Sequence, residues 1–351
     1  MTRFATICIL SCAALASAPN SARAQGSSAP AAQSSAPLPL AAAADLRPRF
    51  TPGQTLRYQM ELVTTTMGST GGAVQDPQGA TRLVVTWDAT VRIDVLPPDV
   101  PPSAPTPAAQ TSALPVALRL RMTYEKSAAT IQTDGYDPSA RSIQDQYQRL
   151  EGHAVEFALD AHGKVTGVSG GDDVFATPQA ARDAQSWISQ LSAGVGAPGA
   201  TVAPGQRWSA NEAATGIPLP NMNWHTDSSY ERNEPCRQPS AVADPQPTSV
   251  PPSDETCAVI LTSVSLVPQN PAQKSESPAE RNNAVPDGMH TAGTWTASSQ
   301  SLIHVSLRTG WVVGVSQSGD EKMDVTEISE HSDSIRYAGT VHSQVNLLLL
   351  P

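Results

Sequence analysis

Between Arg82 and Val95 the chain alternates with a period of two. Leu83, Val85, Trp87, Ala89, Val91, Ile93 and Val95 occupy one set of positions, and Arg82, Val84, Thr86, Asp88, Thr90, Arg92 and Asp94 the other. Successive side chains of an extended backbone point to opposite faces, so this segment reads as a long strand, dry on one face and wet on the other. The pattern returns in Leu56/Tyr58/Met60/Leu62, in Leu118/Leu120/Met122/Tyr124 and in Ile335/Tyr337/Val341/Val345/Leu347, with Arg119, Arg121, Arg336, His342 and Asn346 among the interleaved residues. Strands with one solvated face belong to antiparallel sheets, because the helical crossovers of parallel sheets cover both faces. The fold class that follows is mainly β: an antiparallel curved sheet or open barrel.

One helix is expected over it. Thr177-Pro178 supplies an N-cap and a first-turn proline, Ala180, Ala184, Trp187, Ile188 and Leu191 share one face, and Gly194 stops the run. Such a stripe docks on an edge or open end of a sheet.

Two motifs occur twice, in the same order and at nearly equal spacing: PGQTLRY (Pro52–Tyr58) and PGQRW (Pro204–Trp208), GKVTGVS (Gly163–Ser169) and GWVVGVS (Gly310–Ser316). A genuine repeat keeps order and spacing, so two similar halves are expected, 46–195 and 196–351, within one β-rich unit spanning 46–351. Each half carries a proline-rich excursion, LPPDVPPSAPTPAAQTSALP and PCRQPSAVADPQPTSVPPSDETC.

The N-terminus places a basic residue before the apolar run Phe4–Ala16, and Ala22-Arg23-Ala24 offers small residues to a signal peptidase. Residues 1–24 therefore read as a cleaved signal peptide, and 25–45, nearly all Ala, Ser, Pro, Gln and Leu, as a disordered leader. A periplasmic or extracellular location is expected. Losing the signal removes Arg3 and Arg23 and no acid, which leaves 20 basic against 32 acidic residues, a net charge of −12. Such a surface repels phosphate, so nucleic acid is excluded as a partner. No later run reaches the ~18–20 apolar residues of a membrane-spanning helix. Cys8 and Cys12 leave with the signal, and Cys236 with Cys257 flank the second excursion; in an oxidising compartment they pair as a disulfide.

Chemistry is harder to find. The stretch LEGHAVEFALDAHGKVTGVSGG, Leu150–Gly171, gathers two histidines and three acids before a G-x-S-x-G frame at Ser169. Read as a strand from Glu151 to Leu159, it sends His153 with Val155, Phe157 and Leu159 to one side and Glu156 to the other; Asp160-Ala161-His162-Gly163 is a tight turn. Only His153 and Glu151 share a face, too few for a metal centre by themselves. Ser169 lacks the strand-to-helix elbow that a nucleophile in this frame requires. The remaining histidines, His225, His290, His304, His331 and His342, are scattered, and Asp172-Asp173 and Asp320-Glu321 read as solvated charge at hairpin exits. No catalytic residue, metal site or cofactor is assigned. Trp87, on a dry face, reads as core.

PGQ-x-x-x-Y opening the first strand, the LEGHAVEFALDAHGKVTGVSGG hairpin and PGQRW opening a second half together resemble a family of exported bacterial β-rich proteins of unknown function. More remotely, long curved strands with a covering helix look like the lipoprotein carriers of the cell envelope. The resemblance implies no catalytic residue, and fold likeness by itself transfers no function. The functions expected, in order, are non-catalytic binding of an apolar small molecule, a lipid or an envelope protein; a structural or assembly role in the envelope; and, last, a serine hydrolase.

Overall fold

The computed structural model describes residues 43–71, 80–97, 118–135, 139–160, 165–171, 201–214, 221–236, 255–269, 290–328 and 334–350, with positions 174, 188, 191, 196, 217 and 219 between them. Strands β1 (Thr55–Gly71), β2 (Thr81–Leu96) and β3 (Leu118–Thr133) lead into helix α1 (Ser139–Gln148). Next come β4 (Ala154–Leu159), β5 (Val165–Ser169), β6 (Arg207–Ala213), β7 (Met222–Pro235), β8 (Thr256–Pro268), β9 (His290–Ser306), β10 (Val312–Ile328) and β11 (Ser334–Leu350). All eleven strands join one curved antiparallel sheet in the order β5-β4-β3-β2-β1-β11-β10-β9-β8-β7-β6, which does not close into a barrel. The mainly β, antiparallel expectation holds.

Alternation sets which face is dry. Val85, Trp87, Ala89, Val91, Ile93 and Val95 are buried on β2, and their cross-strand neighbours Leu56, Tyr58, Met60 and Leu62 on β1 are buried with them. Together with Leu120, Met122, Val155, Phe157, Leu159, Ile188 and Leu191 they form the larger apolar cluster. Each fully buried side chain of this kind is worth about 1.5–3 kcal/mol. Leu46, Val202, Trp208, Tyr230, Ala258, Ile260 and Val305 form a second cluster under β6–β9.

The register of β3 departs from the simple pattern. Tyr124 faces Val91, but Lys126 faces Thr90, so Glu125 is an extra residue and the buried set shifts from Leu120, Met122 and Tyr124 to Ser127 and Ala129. A one-residue bulge reverses the phase of all that follows. On β11 the expected dry residue Ile335 is 44% exposed, because the end of that strand runs beyond the packed core.

The helix seen in full is α1, which the sequence reading missed. It buries only Ile143 and Tyr147, one turn apart, against the large cluster. The Tyr147 ring lies 5.2 Å from that of Trp87, whose Nε1–H donates to Ser127 Oγ at 2.9 Å. Ser127 in turn donates to the Tyr147 carbonyl at 2.6 Å. Gln144 Nε2 donates to the Ala129 carbonyl and Glu151 Oε2 accepts from the Ser127 amide, so α1 and its exit cap the stretch of β3 that β4 does not reach. Of the helix expected from Thr177, Ile188 and Leu191 are helical and fully or nearly buried. Its other named positions lie outside the described residues, as do the signal peptide, the leader up to residue 42, the proline-rich excursions over 98–115 and 237–254, and Ala161, His162 and Gly163 of the turn.

Ala44, within the expected leader, pairs with Val202 as an antiparallel bridge. The two proline-glycine turns share one hydrogen-bond set. Gly53 and Gly205 both adopt φ 84°. Gly53 N–H donates to the Val95 carbonyl and Gly205 N–H to that of Tyr230. Gln54 N–H donates to Thr51 and Gln206 N–H to Ala203, at 3.0 Å each. The side-chain Oε1 of each glutamine accepts from the same residue's amide, at 3.1 Å each. The two GVS hairpins also share an irregularity: Val165 and Gly167 straddle a bulge against β4, and Val312 and Gly314 straddle one against β9.

Cys236 and Cys257 are disulfide-bonded with Cα atoms 4.9 Å apart, and they clasp the ends of β7 and β8 where the excursion leaves the sheet.

Candidate functional site

Three places concentrate chemistry: the opening hairpin, the wet face of the second half, and the dry face where its apolar lining is interrupted.

In the hairpin, Val155, Phe157 and Leu159 are fully buried. The strand, however, begins at Ala154, so His153 and Glu151 belong to the turn before it. His153 is exposed, its Nδ1 3.3 Å from the Glu151 carbonyl, while the Glu151 carboxylate is engaged at Ser127. Ser169 is exposed on edge strand β5, opposite Glu156, whose carboxylate accepts from Arg121. The structure therefore does not bring Ser169, His153 and Glu151 into one constellation.

The wet face carries three histidine–carboxylate pairs. His225 Nε2 lies 3.3 Å from Asp227, His304 Nε2 3.0 Å from Glu234, and His342 Nδ1 2.9 Å from Asp320. Burial would raise the Glu234 carboxyl, but hydrogen bonds from His304 and Arg232 outweigh it and hold the group below the usual carboxylate range. Next to the disulfide, Ser306 Oγ donates to Glu255, which also accepts from Arg308. His225 and Asp227 sit two residues apart on β7 and His342 faces Asp320 across the neighbouring strands β11 and β10, whereas His304 reaches from β9 across β8 to Glu234 on β7, a pairing that only a known strand order makes visible; the polar-face positions of His304 and His342 were legible, their partners were not. Among the described residues, no three of His, Cys, Asp and Glu gather as a metal centre.

The dry face is interrupted midway. Gln317, Ser301, Thr262 and Ser228 form one cross-strand row, and Thr64, Ser343, Gly319, Ser299, Val264 and Thr226 form the next. Thr64, Thr226, Ser228, Thr262 and Ser301 are buried, and Ser228 and Thr262 share a hydrogen bond of 3.0 Å. A Cβ on Gly319 would sit 3.0 Å from Ser343 Oγ and 3.2 Å from Ser299 Cβ, so the row is tight with small side chains. Beyond it, Ile217, Leu266, Trp295 and Ala297 make a third apolar cluster, in which the Trp295 indole N–H is buried with no hydrogen-bond partner among the described residues. A depression lined by Trp224, Val264, Ala297, Ser299, Glu321 and Ser343 lies where the pairing of β8 with β9 ends at Ser265 and Ser298. It offers about 10 Å³, room for one water molecule. This depression thus offers no enclosed seat for an apolar molecule.

No family model and no curated protein matches the chain. Among solved structures it is similar to lipovitellin, in a structure concerned with lipid–protein interactions, at 11% identity and a TM-score of 0.40, over 86% of this chain and 26% of that one. It is also similar to an outer membrane channel from Pseudomonas putida F1, at 7% identity, a TM-score of 0.17, and coverage of 86% and 97%. A third likeness is to OccK11 of Pseudomonas aeruginosa, at 8% identity, a TM-score of 0.19, and coverage of 84% and 96%. The chain spans about a quarter of the lipovitellin chain it matches. Overlaps this loose, and this low in identity, carry no residue role across. No helix among the described residues is long and apolar enough to cross a membrane.

Proposed function

We propose that the protein is exported to the cell envelope and binds an envelope partner along its sheet without doing covalent chemistry. Export is supported by the Cys236–Cys257 disulfide, a bond that persists in oxidising compartments, together with the signal-like N-terminus. The observation that carries the binding reading is the open sheet, with two strands at its ends. The depression holds about one water molecule, which leaves an apolar molecule no enclosed seat there, whereas β5 and β6 end the sheet unclosed. Sheet edges present unpaired backbone groups, and these are recognition surfaces for extended segments.

A second reading, an apolar ligand laid on the far end of the dry face, draws on Ile335, 44% exposed there, and on half-buried Val341 and Tyr337. The two readings part in one experiment. The mature chain is purified from an envelope extract, analysed by native mass spectrometry, and then extracted with organic solvent. The partner reading expects a discrete complex with an envelope protein and no stoichiometric lipid; one lipid per chain without a protein partner would replace it by the second reading.

A further inference from the structure

We infer that the wet face of β6 to β11 carries a binding band for a neutral polyhydroxyl chain, an extended uncharged glycan lying across the strands. The inference goes beyond the partner-binding reading and stands on a different observation, the composition of this face and not the ends of the sheet.

Register sets the band. Directly paired residues of antiparallel strands share a face. Asn211, His225, Ser265, Ser298, Asp320 and His342 therefore form one row running from β6 to β11. Two residues along each strand, Ser209, Asp227, Ser263, Gln300, Ser318 and Gln344 form the next. Five interstrand spacings make the band about 24 Å long. On β9, β10 and β11 every member is exposed, and on β6, β7 and β8 each is exposed or half-buried.

The band forms hydrogen bonds and carries little free charge. Neither row contains a lysine, an arginine or a glutamate, and both aspartates have a histidine partner: Asp227 lies 3.3 Å from His225 Nε2, Asp320 2.9 Å from His342 Nδ1. The same face of the first half is built differently. There Arg57 faces Arg92, Glu61 faces Asp88, and Asp94 faces Arg121. A solvated protein surface is ordinarily charged in that way, so the band is a departure within one sheet.

Its side chains are also ready to bind. Serine, unlike lysine or arginine, has little rotamer freedom to lose. Both imidazoles are held from a second side, His225 Nδ1 at 3.0 Å from Asn211 Oδ1 and His342 Nε2 at 3.4 Å from Gln344 Nε2. Groups set before binding cost less to order.

Composition selects the occupant. Aspartates in rows without lysine or arginine disfavour phosphate and anionic headgroups. Protein interfaces are depleted in serine and aspartate and enriched in aromatic side chains and arginine, the reverse of what stands here. A glycan chain presents hydroxyls that both donate and accept, with apolar C–H faces between them. Leu261 and Leu302, paired across β8 and β9 one step from Ser263 and Gln300, offer those faces a ledge, on which Leu261 is 39% exposed.

The test uses the mature full-length chain and two soluble probes of equal length: the neutral hexasaccharide of β-linked N-acetylglucosamine and a hyaluronate hexasaccharide, which carries carboxylates. Isothermal titration calorimetry should show the neutral probe binding, with an affinity that changes less than about twofold between low and physiological salt. Hyaluronate should bind about tenfold more weakly or worse. Gln300→Ala combined with Ser318→Ala removes two exposed hydrogen-bonding groups from the middle of the band and should weaken the neutral probe about tenfold, at an unchanged urea midpoint. Gln59→Ala, exposed on the same face of β1, should leave binding as in the parent. Hydroxyl-radical footprinting with the probe bound should protect His225 and His342 but not His153. The inference is overturned by no binding of the neutral probe at millimolar concentration, by equal binding of both probes, or by a double variant that binds like the parent. An envelope protein that protects the band in the glycan's place overturns it as well.

Discussion

Replacing Gly53 and Gly205 by alanine tests the likeness of the two halves at its sharpest point. Both glycines sit at φ 84°, and a Cβ built on either meets nothing within 4 Å. No clash contributes, so the cost is that of holding an L-residue at positive φ, about 1–2 kcal/mol. Because the surrounding hydrogen bonds match, Gly53→Ala and Gly205→Ala should cost the same to within about 0.5 kcal/mol. Their double variant should show the sum. The assay is equilibrium urea unfolding, followed by tryptophan fluorescence and circular dichroism, with the slope against denaturant checked for constancy. A parallel melting series should fall by roughly 2–4 °C per kcal/mol. Gly310→Ala serves as the contrast: its φ is 71°, and a Cβ there would lie 2.0 Å from the Arg47 carbonyl oxygen. It should therefore be clearly the most damaging of the three. A Gly53→Ala variant as stable as the parent, or two variants differing by more than about 1 kcal/mol, would refute the claim that these turns are energetic equivalents.

Removing the disulfide with Cys236→Ala and Cys257→Ala should cost about 3 kcal/mol by loop-closure entropy for a sequence separation of 21, read as a lower urea midpoint; a loss under about 1 kcal/mol would show that the clasp constrains nothing. Ser127→Ala strands the Trp87 indole N–H and takes one of its donors from the Tyr147 carbonyl, and should destabilise by about 1–3 kcal/mol, with a red shift or quenching change in tryptophan emission as the local readout. Asp45 is held at about 2, mainly by its side-chain hydrogen bond from Arg47. A carboxyl depressed in the folded state contributes stability that is present above its ordinary value of 3.8 and disappears as pH falls from there through about 2. A carboxyl-carbon NMR titration should place Asp45 near 2 in the parent and close to its ordinary value in Arg47→Gln; an unmoved midpoint would dismiss Arg47 as the cause. Arg47 is exposed and Asp45 only partly buried, so the effect on global stability should be small.

Alternation made the long strands legible because burial on one face forces a period of two, and β2 follows it from Val85 to Val95 without a break. The Val155–Leu159 face of the hairpin and the cysteine pair were legible for similarly local reasons. The bulge at Glu125 was not, since the extra residue leaves no mark in composition and is set by pairing with β2. Nor was α1, which holds only two core-facing residues in ten and whose work is to cap an edge through Gln144 and its exit residue Glu151. The histidine–carboxylate pairs share the same difficulty: Glu234 and His304 are brought together by β7, β8 and β9 lying side by side, a juxtaposition encoded nowhere near either residue. Side-chain chemistry that arises from strand order cannot be read before the order is known.

The placement of β11 governs how the molecule is put together. It is the last strand along the chain, yet it lies in the middle of the sheet and joins Arg57 to Leu350 in one ladder. In order of sequence, β1 through β5 and β6 through β10 precede the strand that joins them, so each set has one margin, β1 or β10, whose partner comes later in the chain. Contacts this remote form slowly, so the nascent halves pass through an interval in which β1 and β10 are sticky and unprotected. Closing both margins at once falls to the single seventeen-residue strand β11.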